Sequence, residues 1–180
     1  MSASKMIIAG FGGQGVMLIG EIIAYAAMIE GKHVTWLPAY GPEMRGGTAN
    51  CSIIVSNEEI SSPVIASATD LVAFNYPSLV KFEPILASGG RLFINSSLIK
   101  EDSTRRDITI YKIAANDIAQ SLGSDKITNM VILGTVIATT GIVKKKSIIE
   151  VFNKVFIDKK AKYIPLNIQA FEEGERLARN

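Results

Sequence analysis

The sequence predicts an α/β protein: a three-layer α/β/α sandwich around a mainly parallel sheet. Strand-like and helix-like segments alternate along the chain, which is typical of parallel sheets covered by helices. Hydrophobic residues make up 48% of the 180 residues and charged residues 20%, as in a chain that buries a real core. A glycine-rich turn separates the first strand from the first helix. We expect one domain over residues 1–180.

The predicted elements follow from hydrophobic periodicity and turn residues. Strands are expected near residues 5–10, 33–38, 49–55, 70–74, 91–95 and 107–112. Helices are expected near residues 14–30, 77–87, 115–122, 127–143, 146–157 and 166–178. Residues 52–62 differ from the rest, because an apolar strand is followed by the polar turn at 57–59 and a short return. This pattern suggests a hairpin, which would make the sheet mixed.

Composition excludes several classes of protein. The net charge of +2 is too small to indicate a nucleic-acid partner. Cys51, the single cysteine, cannot form an internal disulfide or supply the four ligands of an iron–sulfur cluster. His33, the single histidine, begins a strand predicted to be buried, so a zinc site is not expected. No signal peptide or membrane-spanning run is visible, which favours a cytoplasmic protein.

Two predicted helices lack a charged face. From Gln14 to Glu30 the only charged residues are Glu21 and Glu30, and residues 127–143 contain none. A helix that is apolar all round must be buried all round. Either a partner covers these helices, whether another subunit or a second copy of the isolated chain, or both form the inner layers of the sandwich.

The turn G10-F-G-G-Q-G15 lies between a buried strand and a helix, with the G-x-G-x-x-G spacing of a Rossmann-like dinucleotide-binding turn. The second strand, however, ends in P38-A-Y-G41 without the acid that holds a ribose hydroxyl, and without an arginine for a 2′-phosphate. Three interpretations remain: close packing of strand and helix, an anion or phosphate site, and NAD binding. The candidate anion-binding residues are Gly10, Gly12, Gly13, Gln14 and Gly15.

The segment Y40-G-P-E-M-R-G-G-T-A-N-C-S52 contains a second loop whose shape is restricted by proline and glycine. In a parallel sheet this loop and the glycine turn both emerge at the carboxyl edge. Two of its central residues suit a partner surface: Met44 has an adaptable thioether side chain, and Arg45 has a planar guanidinium with several N–H donors. The alternative is a structural turn with solvated charges. The candidate interface residues are Tyr40, Gly41, Pro42, Glu43, Met44, Arg45, Gly46 and Gly47.

These two loops together resemble the gamma subunit of the 2-oxoacid:ferredoxin (acceptor) oxidoreductases. Further matching residues are I60-S-S-P63, N129-M-V-I-L-G134, Asn167, the A170-F pair and Gly174, so the resemblance covers almost the whole chain. The E-M-R-G-G form of the second loop is most similar to the 2-oxoglutarate branch, with the branched-chain 2-oxoacid branch second.

The resemblance implies an assembly that decarboxylates a 2-oxoacid on thiamine diphosphate with Mg²⁺, transfers the acyl group to coenzyme A and passes electrons through [4Fe-4S] clusters to ferredoxin or a similar acceptor. It implies that alpha and beta subunits and, where present, a delta subunit are the partners, and that the clusters and thiamine diphosphate lie outside this chain. We therefore expect no catalytic residue and no metal ligand here. Two rival readings stay open: a free-standing nucleotide-binding oxidoreductase and a non-enzymatic nucleotide sensor. Cys51 lies in an apolar strand and is not expected to act as a nucleophile.

Overall fold

A computed structural model of the chain describes residues 3–41 and 47–179. The strands are Ser4–Phe11 (β1), His33–Tyr40 (β2), Thr48–Ser56 (β3), Ala68–Ala73 (β4), Leu86–Asn95 (β5) and Thr109–Ile113 (β6). The helices are Val16–Ile29 (α1), Tyr76–Phe82 (α2), Ala115–Ser121 (α3), Thr128–Thr140 (α4), Lys145–Val155 (α5) and Ile164–Leu177 (α6). Short 3₁₀ turns occupy Glu83–Ile85, Asp125–Ile127 and Asp158–Tyr163. Each predicted strand and helix has a counterpart, and the largest shifts are of five residues: β5 begins five residues before the predicted position 91, and α2 ends five residues before the predicted position 87.

The six strands form one mixed sheet in the order β2-β3-β1-β4-β5-β6. The pairs β1–β4, β4–β5 and β5–β6 are parallel, whereas β3 is antiparallel to both of its neighbours. The predicted α/β class with a mainly parallel, mixed sheet is therefore confirmed.

The predicted hairpin at 52–62 is wrong. The polar turn does end β3, since the backbone N–H of Glu58 donates to the hydroxyl of Ser56 at 2.9 Å. Residues 57–67, however, form no strand. Both edges of β3 are already paired, with β1 on one side and β2 on the other, so no edge remains for a returning strand. The antiparallel pairs of the sheet are instead β2–β3 and β1–β3.

The prediction of a buried second strand is also wrong. Strand β2 lies at the edge of the sheet, and His33, Leu37 and Tyr40 are exposed. An edge strand has a neighbour on one side only, and the apolar sequence of β2 does not reveal that position. Trp36 is partly buried, and it packs against the face of the sheet that α1 covers.

Helices cover both faces of the sheet, as the sandwich prediction requires. The larger core lies between one face and helices α1, α3, α4, α5 and α6, and includes Ile8, Val72 and Phe93 of the strands. The smaller core lies on the opposite face, where Leu79 of α2 packs on residues such as Ile7 and Leu92.

Helix α4 is buried within the chain, because α6 crosses it at backbone contact. A Cβ atom added to Gly134 would lie 1.9 Å from the carbonyl oxygen of Phe171, and one added to Gly174 would lie 2.0 Å from that of Val131. The hydroxyl of Thr135 donates to the carbonyl of Gly174 at 2.8 Å. Of the two interpretations of the apolar helices, the inner-layer one is therefore correct for α4.

Helix α1 is covered less completely. Tyr25, Met28 and Ile29 are exposed on it, and Met28 keeps 59% of its accessible surface. Together with Lys154 and Val155 of α5 they line an open groove of about 640 Å³. The inner-layer interpretation thus holds for only part of α1.

Candidate functional site

The glycine turn connects the end of β1 to α1 and is held by its own glutamine. The side-chain oxygen of Gln14 accepts the backbone N–H of Phe11 at 2.7 Å, and the N–H of Gln14 donates to the carbonyl of Phe11 at 3.2 Å. Gly13 and Gly15 have φ angles of 97° and 77°, in the left-handed region that other residues rarely adopt. The turn therefore has one specified shape.

Two of the glycines are required for packing. A Cβ atom at Gly10 would lie 2.9 Å from the Cβ of Phe74, and one at Gly15 would lie 2.3 Å from the side-chain nitrogen of Asn129. Gly13 differs from both, since a Cβ atom there would meet no atom within 4 Å. The structural interpretation thus accounts for Gly10 and Gly15, while Gly13 faces open space.

Asn75 links the turn to the next parallel strand. Its side-chain nitrogen donates to the side-chain oxygen of Gln14 at 3.1 Å. Its own side-chain oxygen accepts the N–H of Ser78 at 3.0 Å and caps α2. The ends of β1 and β4 and the start of α2 are in this way tied together by neutral amides.

A cleft of about 290 Å³ opens beside the turn, at the carboxyl ends of β1, β4 and β5. In open α/β sheets this edge is where ligands bind, at the point where helices leave toward opposite faces. Here α1 leaves toward one face and α2 toward the other. The cleft is lined by Gly13, Gln14, Gly15, Leu18, Phe74, Asn95, Asn116, Asp125, Lys126, Thr128 and Asn129.

The cleft contains hydrogen-bonding groups of both kinds. Asn95 is buried, its side-chain nitrogen donates to Asn116 at 2.8 Å, and its side-chain oxygen has no hydrogen-bond partner. A buried acceptor without a partner is costly, and a donor on a ligand would satisfy it. Lys126 supplies a cation and Asp125 an anion. The first turn of α1 has no side-chain cap, so its N–H groups remain available beside Gly15.

Asn75 and Asn95 were not identified from the sequence. Asn75 lies two residues after the end of β4, in V72-A-F-N75, and Asn95 is the last residue of β5, in L92-F-I-N95. A polar amide at the carboxyl end of a predicted parallel strand was the available signal, because those ends meet at one edge.

The second loop begins and ends beside the first. Tyr40, 69% exposed, ends β2, and the backbone N–H of Gly41 donates to the carbonyl of Thr48 at 2.7 Å. The backbone N–H of Gly12 donates to the carbonyl of Gly47 at 2.9 Å. The predicted interface residues Pro42, Glu43, Met44, Arg45 and Gly46 lie outside the described residues.

Cys51 lies in the core beneath α1. It is buried, and its sulfur is 3.8 Å from the carbonyl oxygen of Val16. Burial raises the pKa of the thiol to about 12, so the nucleophilic thiolate is almost absent at neutral pH. Among residues 3–41 and 47–179, no group of three or more His, Cys, Asp or Glu side chains could hold a metal ion. No helix in that part of the chain is long and apolar enough to cross a membrane.

Comparison with protein families matches residues 5–177 to the family described as pyruvate ferredoxin/flavodoxin oxidoreductase. The ketoisovalerate oxidoreductase subunit VorA of Methanothermobacter thermautotrophicus is 38% identical over 97% of this chain and 36% of its own length. This chain thus spans about a third of that relative. The 2-oxoglutarate synthase subunit KorC of Methanothermobacter marburgensis is 33% identical over 94% of each chain.

A solved structure gives the same picture. The gamma subunit of a keto/oxoacid ferredoxin oxidoreductase from Geobacter sulfurreducens superposes with a TM-score of 0.82, at 28% identity over 97% of this chain and 98% of that subunit.

Proposed function

Because the chain belongs to the pyruvate ferredoxin/flavodoxin oxidoreductase family, we propose that it works as a single gamma-type domain in a complex that oxidises a 2-oxoacid to acyl-CoA and CO2. The observation that supports this most strongly is the meeting of both family-like loops at one sheet edge, through the hydrogen bond from Gly12 to Gly47. An edge with an open cleft and a neighbouring loop suits a subunit that borders a reaction centre formed by other chains.

The reaction centre itself is proposed to lie in alpha and beta subunits and, where present, a delta subunit. Thiamine diphosphate with Mg²⁺ would supply the decarboxylation chemistry there, and [4Fe-4S] clusters would carry electrons to ferredoxin or a similar acceptor. One cysteine cannot hold such a cluster. The complex would work in the cytoplasm.

The cleft at the glycine turn is proposed to receive the phosphate-bearing part of coenzyme A. The uncapped N–H groups of α1 and the side chain of Lys126 suit an anion. The unpartnered oxygen of Asn95 suits a donor such as an amino or hydroxyl group. Asp125 disfavours an anion close to it, so the phosphate is expected nearer to Gly13 and Gly15.

The interface with the thiamine-bearing subunits is proposed to be the loop from Tyr40 to Gly47. Exposed Tyr40 is a large amphipathic side chain of the kind enriched at interfaces. The exposed strip of Tyr25, Met28 and Ile29 on α1 would add a second apolar contact, with another subunit or with a second copy of the isolated chain.

The proposed substrate is 2-oxoglutarate, supported by the E-M-R-G-G sequence and by the KorC relative that matches over nearly its whole length. A branched-chain 2-oxoacid is the second candidate, favoured by the VorA relative, whose match has the higher identity.

The first test is co-purification of the chain from its native source, followed by assay of the complex and of the chain alone. The complex should reduce an acceptor when given 2-oxoglutarate and coenzyme A, while the chain alone should not. Steady turnover by the single chain, or micromolar NAD binding in calorimetry, would instead support the free-standing oxidoreductase. A chain that binds a nucleotide but never co-purifies with other subunits would support the sensor.

The cleft is tested by Gln14→Glu in the assembled complex. The glutamate retains an acceptor for Phe11 and Asn75 but adds negative charge, so the apparent affinity for coenzyme A should fall about tenfold with assembly unchanged. Gln120→Glu, the same substitution on the exposed surface of α3, is the control. Equal coenzyme A affinity in both variants would place the cofactor away from the turn.

A further inference from the structure

A second cleft, of about 270 Å³, opens at the amino edge of the sheet, opposite the glycine turn. It lies between the starts of β1 and β4, the end of β3 and the end of α4. Its lining residues include Ser4, Lys32, Ser56, Asn57, Thr69 and Arg91. They include two cations and no acidic side chain.

Arg91 is held in place by a buried carboxylate. Asp70, which is 0% exposed, lies opposite Arg91 in the β4–β5 register and accepts its Nε–H at 2.6 Å. The other oxygen of Asp70 accepts the hydroxyls of Thr69 at 2.7 Å and Ser4 at 3.1 Å. The guanidinium is therefore oriented before any ligand arrives, which reduces the ordering cost of binding.

The outer edge of this guanidinium remains available. Arg91 is 30% exposed, and its two Nη groups make no hydrogen bond within the described residues. Two parallel N–H groups of this kind match the two oxygens of a carboxylate or phosphate. The hydroxyl of Ser56 and the amide of Asn57 at the cleft offer further hydrogen bonds to a polar molecule, whereas the hydroxyl of Thr140 already donates to the carbonyl of Val136 at 2.7 Å.

The C-terminal end of α4 disfavours an anion in this cleft, and the positive charge of Lys32 reduces that effect. Carbonyl groups at a helix C-terminus carry partial negative charge, and Gly141 ends α4 at this cleft. The ammonium of Lys32 donates to the carbonyl of Ile142 and pairs with Glu30 at 3.0 Å. Lys32 is therefore already engaged by this carbonyl and by Glu30, and the donors available to a ligand are the Nη groups of Arg91.

From this arrangement we infer that the amino-edge cleft binds a small oxyanion, a carboxylate or a phosphate, through the Nη edge of Arg91. The cleft, at about 270 Å³, is smaller than the pockets of about 300 Å³ and more that hold drug-sized ligands, so it suits a phosphate ion or a short organic acid. The site is independent of the cleft at the glycine turn and lies at the opposite edge of the sheet, so it suits an effector or a product sensed away from the cofactor.

The test is calorimetric titration of the full chain with succinate and, separately, with inorganic phosphate, at ionic strength held constant with sodium chloride. The titrations use the Gln14→Glu background, so that anion binding at the glycine turn is weakened. Saturable binding of one equivalent is expected for at least one probe, and comparison of the two shows whether carboxylate or phosphate is preferred.

Arg91→Lys keeps the positive charge but removes the two parallel Nη–H groups of the guanidinium, so it should weaken binding of the anion about tenfold or more. Arg106→Lys, at an exposed position elsewhere, should not change it. Arg91 also pairs with Asp70, so its variant risks misfolding, and a second variant is needed. Asn57→Asp serves this purpose, because Asn57 is exposed and lines the cleft. A carboxylate there should weaken anion binding several-fold and leave the melting temperature unchanged. Heats of titration that never saturate, or equal affinity in the parent and in Asn57→Asp, would contradict the proposed site. The Asp70–Arg91 pair would then have only a structural role between β4 and β5.

Discussion

The backbone N–H of Gly12 donates to the carbonyl oxygen of Gly47 at 2.9 Å, and this single bond joins two loops that are far apart in the sequence. It forms because β3 runs antiparallel to β1, with Phe11 opposite Thr48, so the chain leaving the second loop enters the sheet directly beside the first. The spatial relation of the two loops thus depends on β3, which lies between β1 and β2.

Arg45 is expected to act at the subunit interface. Truncating a buried interfacial arginine commonly costs about 2 kcal/mol, roughly thirtyfold in affinity. Arg45→Ala should therefore weaken assembly or activity of the complex, measured by co-purification yield and turnover, while the melting temperature of the isolated chain stays nearly constant. Arg106→Ala is the control on an exposed loop. Normal assembly of the Arg45 variant would make the residue a solvated loop cation, and a loss of several degrees would make its role internal.

The crossing of α4 and α6 predicts a severe effect of a single methyl group. Gly134→Ala would place its Cβ 1.9 Å from the carbonyl oxygen of Phe171, which the helix backbone cannot accommodate without shifting. We expect a loss of about 3 kcal/mol in the free energy of unfolding, measured by denaturant titration. Gly123→Ala is the matched control, because its Cβ would meet no atom within 4 Å and only its left-handed φ of 94° would cost about 1 kcal/mol. Similar losses in both variants would contradict the close crossing.

Glu30 is expected to give stability that depends on pH. Its carboxylate accepts the backbone N–H of Lys144 at 2.5 Å and the hydroxyl of Ser147 at 2.8 Å, and so ties the end of α1 to the start of α5. Burial by itself raises the pKa of Glu30, but these hydrogen bonds and the nearby Lys32 outweigh it and leave the pKa below its ordinary value. A pKa lowered by folding means that the stabilisation is present above the unfolded pKa and is lost as the pH falls through the folded one.

The variant Glu30→Gln should therefore lower the free energy of unfolding by about 1 kcal/mol near neutral pH. The difference from the parent chain should shrink as the pH falls through the folded pKa of Glu30, because the parent carboxyl is then protonated too. Glu150→Gln, which removes an exposed pair with Lys154 on α5, should cost less than about 0.5 kcal/mol. A difference between Glu30→Gln and the parent that is independent of pH would mean that the carboxylate charge is not what stabilises this junction.

Cys51 is expected to resist thiol reagents in the folded chain. With its pKa raised from 9.0 to about 12, the thiolate fraction falls about a thousandfold, and burial also blocks access. Labelling followed at mildly alkaline pH should be slow in buffer and rapid in denaturant. Prompt labelling of the folded chain would show that α1 opens readily over β3.

The sequence by itself determined the order of the strands and helices, because each has a periodicity that depends only on nearby residues. Helix α4 is an example: the uncharged run at 127–143 predicted both its existence and its burial. The glycine turn was located correctly for the same reason, since strand, glycines and helix follow one another directly. The two loops, with the further matching residues, also predicted the resemblance to the gamma subunits, and the family match together with the similar solved gamma subunit confirms it.

Only the tertiary structure decided how the strands pair and what lies beside the turn. The placement of β3 between β1 and β2, the exposure of β2 and the absence of a hairpin at 52–62 depend on contacts between distant residues, which periodicity does not encode. Asn75 and Asn95 join Gln14 at one edge because β4 and β5 run parallel to β1, and Asp70 faces Arg91 through the register of two such strands. The physical reason is the same in each case: the free energy of these arrangements lies in hydrogen bonds and packing across the sheet, between residues that the sequence holds far apart.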